Sequence, residues 1–224
     1  MVRFRYLCII LLVALTSHSL KAQDDALKVG LRVGHNVPFG WFEAASLETN
    51  QTFGEGFSIN GGVQYSTMKR IAIEARPTYT MHFPWGRLSA EVLMTYTQLS
   101  SINNMAVGGG AWVDYGRMNV TLGYYYRLYG GRGGVITEPF NMYYALRVRL
   151  LQENRAWNVH LTITNNEIFE LERHYQPSFM AECFYYPTPK WGVSLGVGCK
   201  PAGIFNISSD YYQSYLKTGV CYKW

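Results

Sequence analysis

Long apolar runs are absent from the sequence beyond its first 22 residues. After residue 23, no stretch contains the ~18 apolar residues that a membrane-spanning helix needs. The chain is nevertheless 48% hydrophobic and only 16% charged, which is little charge for a soluble domain. The apolar residues are therefore interleaved with polar ones, and their spacing carries the information about the fold.

Cysteine is also scarce, and no C-x-x-C pair occurs beyond residue 22. An odd number of widely spaced cysteines argues against a disulfide framework and against a zinc site. We interpret Cys183, Cys199 and Cys221 as small apolar residues that face neighbouring side chains or lipid.

The first 22 residues have the pattern of a secretory signal peptide. Arg3 and Arg5 form a basic start, residues 7–15 form an apolar core, and Leu20 and Ala22 stand at the −3 and −1 positions of a cleavage site. The alternative is an N-terminal membrane anchor, but the apolar run is short for a spanning helix. We therefore predict a signal peptide over 1–22 and a mature domain over 23–224.

The excess of positive charge belongs partly to this leader. Its removal takes away three positive charges, Arg3, Arg5 and Lys21, and lowers the formal net charge from +5 to +2. No basic tract remains in the mature chain, so we predict no nucleic-acid partner.

What the mature chain has in abundance is strict alternation of apolar and polar residues. In 118–129, one face carries Met118, Val120, Leu122, Tyr124, Tyr126 and Leu128, and the other carries Asn119, Thr121, Gly123, Tyr125 and Arg127. The same pattern recurs over 140–151, 157–164 and 191–198. Side chains alternate across a strand, so each segment is a ribbon with one apolar and one polar face.

The composition of the two faces favours a membrane barrel over a soluble, periplasmic or secreted, all-β protein. The polar faces carry glycine, small polar residues and scattered arginine and glutamate, with few of the lysines that protect soluble sheet edges. The apolar faces often end in tyrosine or tryptophan, as the aromatic girdles at membrane interfaces do. We predict an antiparallel, up-and-down transmembrane β-barrel.

The connections between these ribbons set the expected number of strands. Tight connections are predicted at 66–69, 114–117, 152–155 and 186–190, and long ones at 36–54, 130–139, 165–176 and 201–210. From residue 114 onward short and long connections alternate, as turns and outer loops do in barrels. The alternating run 87–99 disturbs this count. Because barrels have even strand numbers, we assign it to a long outer hairpin, which leaves about ten strands. The alternative is twelve.

The last eight residues, KTGVCYKW, resemble the C-terminal insertion signal of Gram-negative outer-membrane barrels. Lys217, Gly219, Tyr222 and Trp224 match its polar, glycine and two aromatic positions, although the usual last residue is phenylalanine. The resemblance implies an exported protein of the outer membrane. It also implies two partners, outer-membrane lipid and the barrel assembly machinery that recognises the last strand.

Charged residues on the polar faces are expected to point into the barrel. They are Arg127, Arg147, Arg149, Glu74, Arg76 and Glu182. In a small barrel such charges pair and fill the lumen, and the alternative is an arginine-lined pore that prefers anions. Because a ten-stranded barrel has little room, we favour filling. The expected function is structural or that of a narrow porin-like channel, without catalysis or a cofactor.

Two alternatives place the function elsewhere. A lipid-acting barrel enzyme needs a nucleophile and a base, for which the candidates are His160 with Ser178, or His174 with Glu172. No G-x-S-x-G or H-E-x-x-H motif accompanies them. The second alternative is a surface binding protein, in which the charged loop 165–176 holds a cation or a partner. We interpret this loop as a solvated outer loop instead.

Overall fold

A computed structural model describes residues 26–37, 40–67, 70–99, 102–131, 134–151, 156–167, 169–171, 176–201 and 211–224. The predicted signal peptide lies outside these residues. In the part of the chain that the structure describes, no helix is long and apolar enough to cross a membrane. The strands are β1 (Ala26–Asn36), β2 (Gly40–Thr52), β3 (Phe57–Ser66), β4 (Arg70–Phe83), β5 (Gly86–Leu99), β6 (Ile102–Tyr115), β7 (Met118–Gly131), β8 (Gly134–Arg149), β9 (Trp157–Thr164), β10 (Asn166–Glu167), β11 (Glu170–Leu171), β12 (Ser178–Tyr185), β13 (Trp191–Pro201) and β14 (Tyr211–Lys223).

Twelve of these strands form one closed antiparallel barrel. Each barrel strand pairs with its neighbours in the sequence, β9 pairs with β12, and β1 pairs with β14 to close the cylinder. The two short strands β10 and β11 pair only with each other. The chain reversals between strands define two ends of the barrel. The turn end carries Ala26 and the connection after β6, and the loop end carries the connections after β1 and β9.

Alternation produces a barrel that is apolar outside and polar inside. In β7, Leu122 is 56% exposed on the outer face, whereas Tyr125 is 2% exposed on the inner face. In β13, Leu195 and Val197 are exposed, whereas Ser194 and Lys200 are buried. This distribution is the reverse of a soluble sandwich, in which apolar faces point inward. The predicted all-β antiparallel barrel is confirmed.

The preferred count of ten strands is wrong, and the alternative of twelve is correct. Residues 87–99 lie within β5, which pairs along its length with β4 and β6. The segment 36–54, predicted to be a long loop, contains β2. This strand has weak contrast between its faces, because the outer face includes Glu43 and the inner face includes Phe42. Its alternation is therefore hard to recognise.

The predicted order of short and long connections holds only in part. The connection 66–69 follows β3 and lies at the loop end, whereas 114–117 follows β6 and lies at the turn end. The predicted long loop 130–139 is mostly strand, because β7 continues to Gly131 and β8 begins at Gly134. The strands in this part of the barrel extend well beyond the 9–11 residues expected for a spanning strand.

The barrel wall differs in height around its circumference. Strands β4 to β8, which we call the tall wall, have 14 to 16 residues each. Strands β9 and β12, which we call the low wall, have 8 residues each. At ~3.3 Å per residue and a tilt of ~40°, these lengths correspond to heights of ~35 Å and ~20 Å. The two walls meet at the β8–β9 seam, where Ala145–Arg149 faces His160–Thr164.

Candidate functional site

The segment after β9 folds into the barrel as a small hairpin. It consists of Asn165, β10, Phe169 and β11, and we call it the inner hairpin. The side chains of Asn166, Glu167 and Phe169 are all buried, and they contact strands on different sides of the lumen. The prediction of a solvated outer loop is therefore wrong for this part of 165–176, because its polar groups find partners on the wall. Residues 172–175 lie outside the described residues.

On the tall wall, Glu74 and Arg76 of β4 hold the hairpin. Arg76 donates from Nη2 to Asn166 Oδ1 at 2.6 Å and from Nε to Glu74 Oε1 at 2.5 Å. The other oxygen of Glu74 accepts the backbone N–H of Phe169 at 2.9 Å. Phe169 has a left-handed φ of 68°, which is unfavourable for a residue with a Cβ. The charge-assisted bond to Glu74 offsets that cost.

On its other side, the hairpin contacts β1 and β14 through Glu167, and these strands lie three and four strands from β4 around the barrel. Its Oε2 lies 3.4 Å from Nη2 of Arg32, and its Oε1 accepts the hydroxyl of Tyr215 at 2.5 Å. The guanidinium of Arg32 also lies over the ring of Tyr215, 4.5 Å from the ring centroid. The hairpin thus bridges the lumen between β4 and the β1–β14 pair.

Asn165 fixes the base of the hairpin to the edge of β8. Its side chain accepts the N–H of Tyr144 at 2.7 Å and donates to the carbonyl of Met142 at 2.9 Å. Its backbone N–H donates to the carbonyl of Tyr144 at 3.3 Å. These bonds occupy positions that a longer β9 would fill, and they continue the β8–β9 seam beyond the end of the low wall.

Aromatic side chains fill the lumen beside the hairpin. Leu93, Ala106, Tyr125 and Tyr143 of the tall wall form a buried cluster, and the hydroxyl of Tyr143 donates to Glu91 Oε1 at 3.0 Å. The ring of Tyr143 lies where a Cβ on Gly110 or Gly123 would be, and the ring of Tyr215 occupies the same place over Gly198. Glycines on the inner face therefore give the large rings room to lie flat against the wall.

A cavity of about 600 Å³ lies on the turn-end side of the hairpin. Arg32 and Glu167 line its inner limit, and Ala26 and Arg117 line it at the turn end. Its basic side chains are Lys28, Arg32, Arg76, Arg87, Arg117, Arg147, Arg149 and Lys217, and its acidic ones are Glu48, Glu74, Glu91, Asp114, Glu167 and Glu182. Basic groups exceed acidic ones, so the cavity favours anions.

The six charges predicted to line the lumen do not form one cluster. Glu74 and Arg76 hold the hairpin, as described above. Arg149 shares Asp114 with Arg87, and its Nη2 lies 3.2 Å from Asp114 Oδ1. Glu182 lies between two lysines of β1 and β14, 3.6 Å from Lys28 Nζ and 3.4 Å from Lys217 Nζ.

Arg147 and Arg127 have different surroundings. Arg147 lines the cavity and is exposed to it. Arg127 is buried outside this cavity and donates to the hydroxyls of Tyr129, at 2.7 Å, and Tyr125, at 3.3 Å. Sequence reasoning left Lys28, Glu91, Asp114 and Glu167 out of the set. The first three lie on the inner faces of their strands. Because side chains alternate along a strand, counting every second residue from a lumen residue of the same strand would have identified them.

The residues of the C-terminal motif lie in or next to β14. Lys217 points into the lumen, and Tyr222 packs outside against Trp191 and Trp224, with ring centroids 4.8 Å and 6.1 Å apart. A Cβ on Gly219 would lie 3.0 Å from the carbonyl oxygen of Val29. The three cysteines within the described residues are unpaired, and Cys221 lines the cavity rather than the outer face.

The structure does not bring the proposed catalytic groups together. His160 pairs with Glu182 across the β9–β12 ladder, and Ser178 pairs with Thr164. His160 and Ser178 are thus four positions apart, or ~13 Å at ~3.3 Å per residue, too far for proton transfer. His174 and Glu172 lie outside the described residues. Among the described ranges, no group of three or more His, Cys, Asp or Glu side chains could hold a metal ion.

No protein-family model and no curated protein matches the sequence. Solved structures do match. The KdgM porin in complex with disordered oligogalacturonate has 14% identity over 89% of this chain and 99% of that chain, with a TM-score of 0.60. The chain shares the barrel fold of this porin. The NanC porin matches at 12% identity over 89% of this chain and 100% of that one, with a TM-score of 0.53.

A third similar structure is the translocator domain of the autotransporter NalP from Neisseria meningitidis. It has 12% identity over 100% of this chain and 96% of that chain, with a TM-score of 0.56. Identities this low relate the fold alone. The function therefore has to be argued from the lumen.

Proposed function

We propose that this protein is a narrow porin-like channel of the Gram-negative outer membrane, whose lumen the inner hairpin closes in the conformation described. The observation that carries the proposal is a closed barrel, apolar outside, with a charged cavity of about 600 Å³ that ends at the hairpin. A barrel that served only as a membrane anchor would have no need of a cavity of this size. Similarity of fold to the KdgM and NanC porins supports the same proposal.

The lumen contains both paired charges and an exposed arginine. Glu74, Arg76 and Glu91 form a network in which each buried carboxylate has a cation nearby. Arg147 lines the same cavity and is exposed to it. The lumen thus combines filling near the hairpin with a basic vestibule at the turn end, and we propose that small anions pass when the hairpin withdraws.

Insertion into the outer membrane is part of the proposal. We propose that the signal peptide over 1–22 is cleaved on export, and that the assembly machinery recognises Lys217, Gly219, Tyr222 and Trp224. In support, the outer faces of β13 and β14 carry exposed Leu195, Val197 and Leu216, side chains suited to lipid contact.

The test is the reversal potential of the purified protein in a planar bilayer with a potassium chloride gradient. We expect chloride to permeate better than potassium, and Arg147→Gln to reduce this preference at least about twofold, because the side chain faces the cavity. Lys190→Gln is the matched control, since Lys190 is exposed in the turn after β12 and does not line the cavity. A preference for potassium, or equal effects of both substitutions, would contradict an anion channel.

A further inference from the structure

The carboxylate of Glu167 occupies a position built by the barrel wall. Arg32 in β1 and Tyr215 in β14 are both buried, and both contact this carboxylate, at 3.4 Å and 2.5 Å. The contact with Arg32 is an ion pair, and the contact with Tyr215 is a short hydrogen bond to a charged acceptor. Neither group belongs to the hairpin, so the partner of the carboxylate is the wall itself.

The strands hold these two groups in place. β1 and β14 pair directly, with Arg32 opposite Lys217 and Gly34 opposite Tyr215. The Tyr215 ring lies against Gly198 of β13, where a Cβ would overlap it, and it supports the Arg32 guanidinium at 4.5 Å. A site on paired strands is better preorganised than one on a loop, and both groups lie on paired barrel strands.

We infer that Arg32 and Tyr215 form a carboxylate-binding site that Glu167 fills from within the chain, and that the carboxylate of a solute takes its place when the hairpin withdraws. The inference rests on the proposed channel function. It identifies small monocarboxylates as the ligands that bind where the hairpin closes the lumen. Arg32 and Glu167 both line the cavity of about 600 Å³, so a ligand in the cavity reaches the site directly.

The other anchor of the hairpin does not become a site in the same way. When the hairpin leaves, Glu74 keeps its bond to Arg76 within β4, and Arg76 keeps Glu91 at 3.9 Å. This side of the lumen therefore keeps its paired charges, one guanidinium between two carboxylates, and offers an anion no vacated cation. On the other side, the Glu167 carboxylate moves away from Arg32 and Tyr215 when the hairpin leaves, and the carboxylate of a solute can take the same place. Glu167 thus acts as a tethered competitor, with an effective concentration of ~1 mM or more.

The test is calorimetric titration of the purified, folded barrel in detergent with glucuronate, and with glucose as the neutral match. Wild type, Glu167→Gln and Glu48→Gln are compared. Glu48 lines the same cavity and accepts the Ser46 hydroxyl at 3.3 Å, so its substitution removes an equal charge away from the site. We expect Glu167→Gln to raise the association constant for glucuronate at least about tenfold, Glu48→Gln to stay near wild type, and glucose not to bind.

A second pair of variants shows whether the increase in the association constant for glucuronate depends on Arg32 and Tyr215. Adding Arg32→Gln or Tyr215→Phe to Glu167→Gln should remove the gain. A barrel in which 166–171 is replaced by Gly-Gly should bind glucuronate as Glu167→Gln does, which keeps the test available if the point variants fold poorly. Equal gains in Glu167→Gln and Glu48→Gln, or a gain that survives Arg32→Gln, would overturn the inference.

Calorimetry does not depend on current, so the inference and the proposed function can fail separately. A barrel that conducts chloride but shows no gain in Glu167→Gln remains a channel, and the carboxylate site is then refuted. A barrel that binds glucuronate at Arg32 but never conducts keeps the site, and the channel is then refuted.

Discussion

The tall wall and the low wall fill the lumen in different ways. The tall wall carries bulky inner side chains, among them Leu93, Tyr125 and Tyr143, which are fixed to strands paired on both sides. The low wall carries Thr162, Thr164 and Ser178 on its inner face beside the inner hairpin, which supplies the bulk there, whereas its larger inner side chains, His160, Met180 and Phe184, line the cavity. Side chains on paired strands cannot leave the lumen without unfolding, whereas a hairpin held by side-chain bonds can.

We propose that the tall wall contributes most of the stability and that the inner hairpin is the part that opens. The hairpin has its own short ladder and contacts the wall through Arg76, Glu74, Arg32 and Tyr215. Segments with few buried apolar contacts open at lower free energy than paired strands. We therefore expect substitutions in the tall wall to change the free energy of unfolding, and substitutions around the hairpin to change conduction.

The largest effect on stability is expected where the two regions meet, at Arg76. Arg76→Met leaves Glu74 and Glu91 without their cation and removes the bond to Asn166. Loss of one partner of a buried ion pair costs about 3–5 kcal/mol. Urea unfolding in lipid vesicles, followed by tryptophan fluorescence, measures this free energy. Arg117→Met, at an exposed lumen arginine, should cost less than about 0.5 kcal/mol, and equal losses would contradict the network.

Tyr143→Ala tests the permanent filling by the tall wall. The substitution removes a fully buried ring and the bond to Glu91, and we expect the free energy of unfolding to fall by about 3–4 kcal/mol. Because the hairpin remains, the variant should not conduct steadily. Tyr124→Ala removes a tyrosine that is 60% exposed on the outer face, and it should cost clearly less. Steady conduction by Tyr143→Ala would mean that the side chain, and not the hairpin, closes the lumen.

A smaller effect on stability, but a clear one on opening, is expected at Gly198. A valine there would overlap the ring of Tyr215, and overpacking of this kind costs about 1–3 kcal/mol. The displaced ring loses its bond to Glu167, so the open probability in single-channel recordings should rise. Gly130→Val is the matched control, because a Cβ at Gly130 meets nothing within 4 Å. No change in open probability would show that Tyr215 does not hold the hairpin.

The sequence was sufficient for the barrel and for the direction of most inner side chains. Period-two alternation specifies which face each residue occupies, and it placed Tyr125, Arg149 and Glu182 on the inside. It failed at β2, where Phe42 lies inside and Glu43 outside, because apolar filling of a narrow lumen reverses the expected polarity locally. It also failed at the β7–β8 hairpin, whose strands extend to Gly131 and from Gly134.

The inner hairpin was not predictable for a different reason. Glu167 and Asn166 belong to a charged stretch, and such stretches are usually solvated. Their burial depends on Arg32, Arg76 and Tyr215, which are distant from them in the sequence. Arg76 and Asn166, for example, are 90 residues apart. These partners come together only after the barrel closes. A local pattern contains no information on such partners. The low wall offers one hint, since strands as short as β9 leave the lumen beside them to be filled by another segment.

The most direct test of the account is a single-channel recording of wild type beside the barrel in which 166–171 is replaced by Gly-Gly. An equal shortening of the connection 202–210 controls for lost loop length. We predict that wild type is closed for most of the recording, that the loop control behaves like wild type, and that the variant without the hairpin conducts steadily in discrete steps. Equal open probabilities in wild type and in the folded variant without the hairpin would contradict the claim that this hairpin closes the lumen.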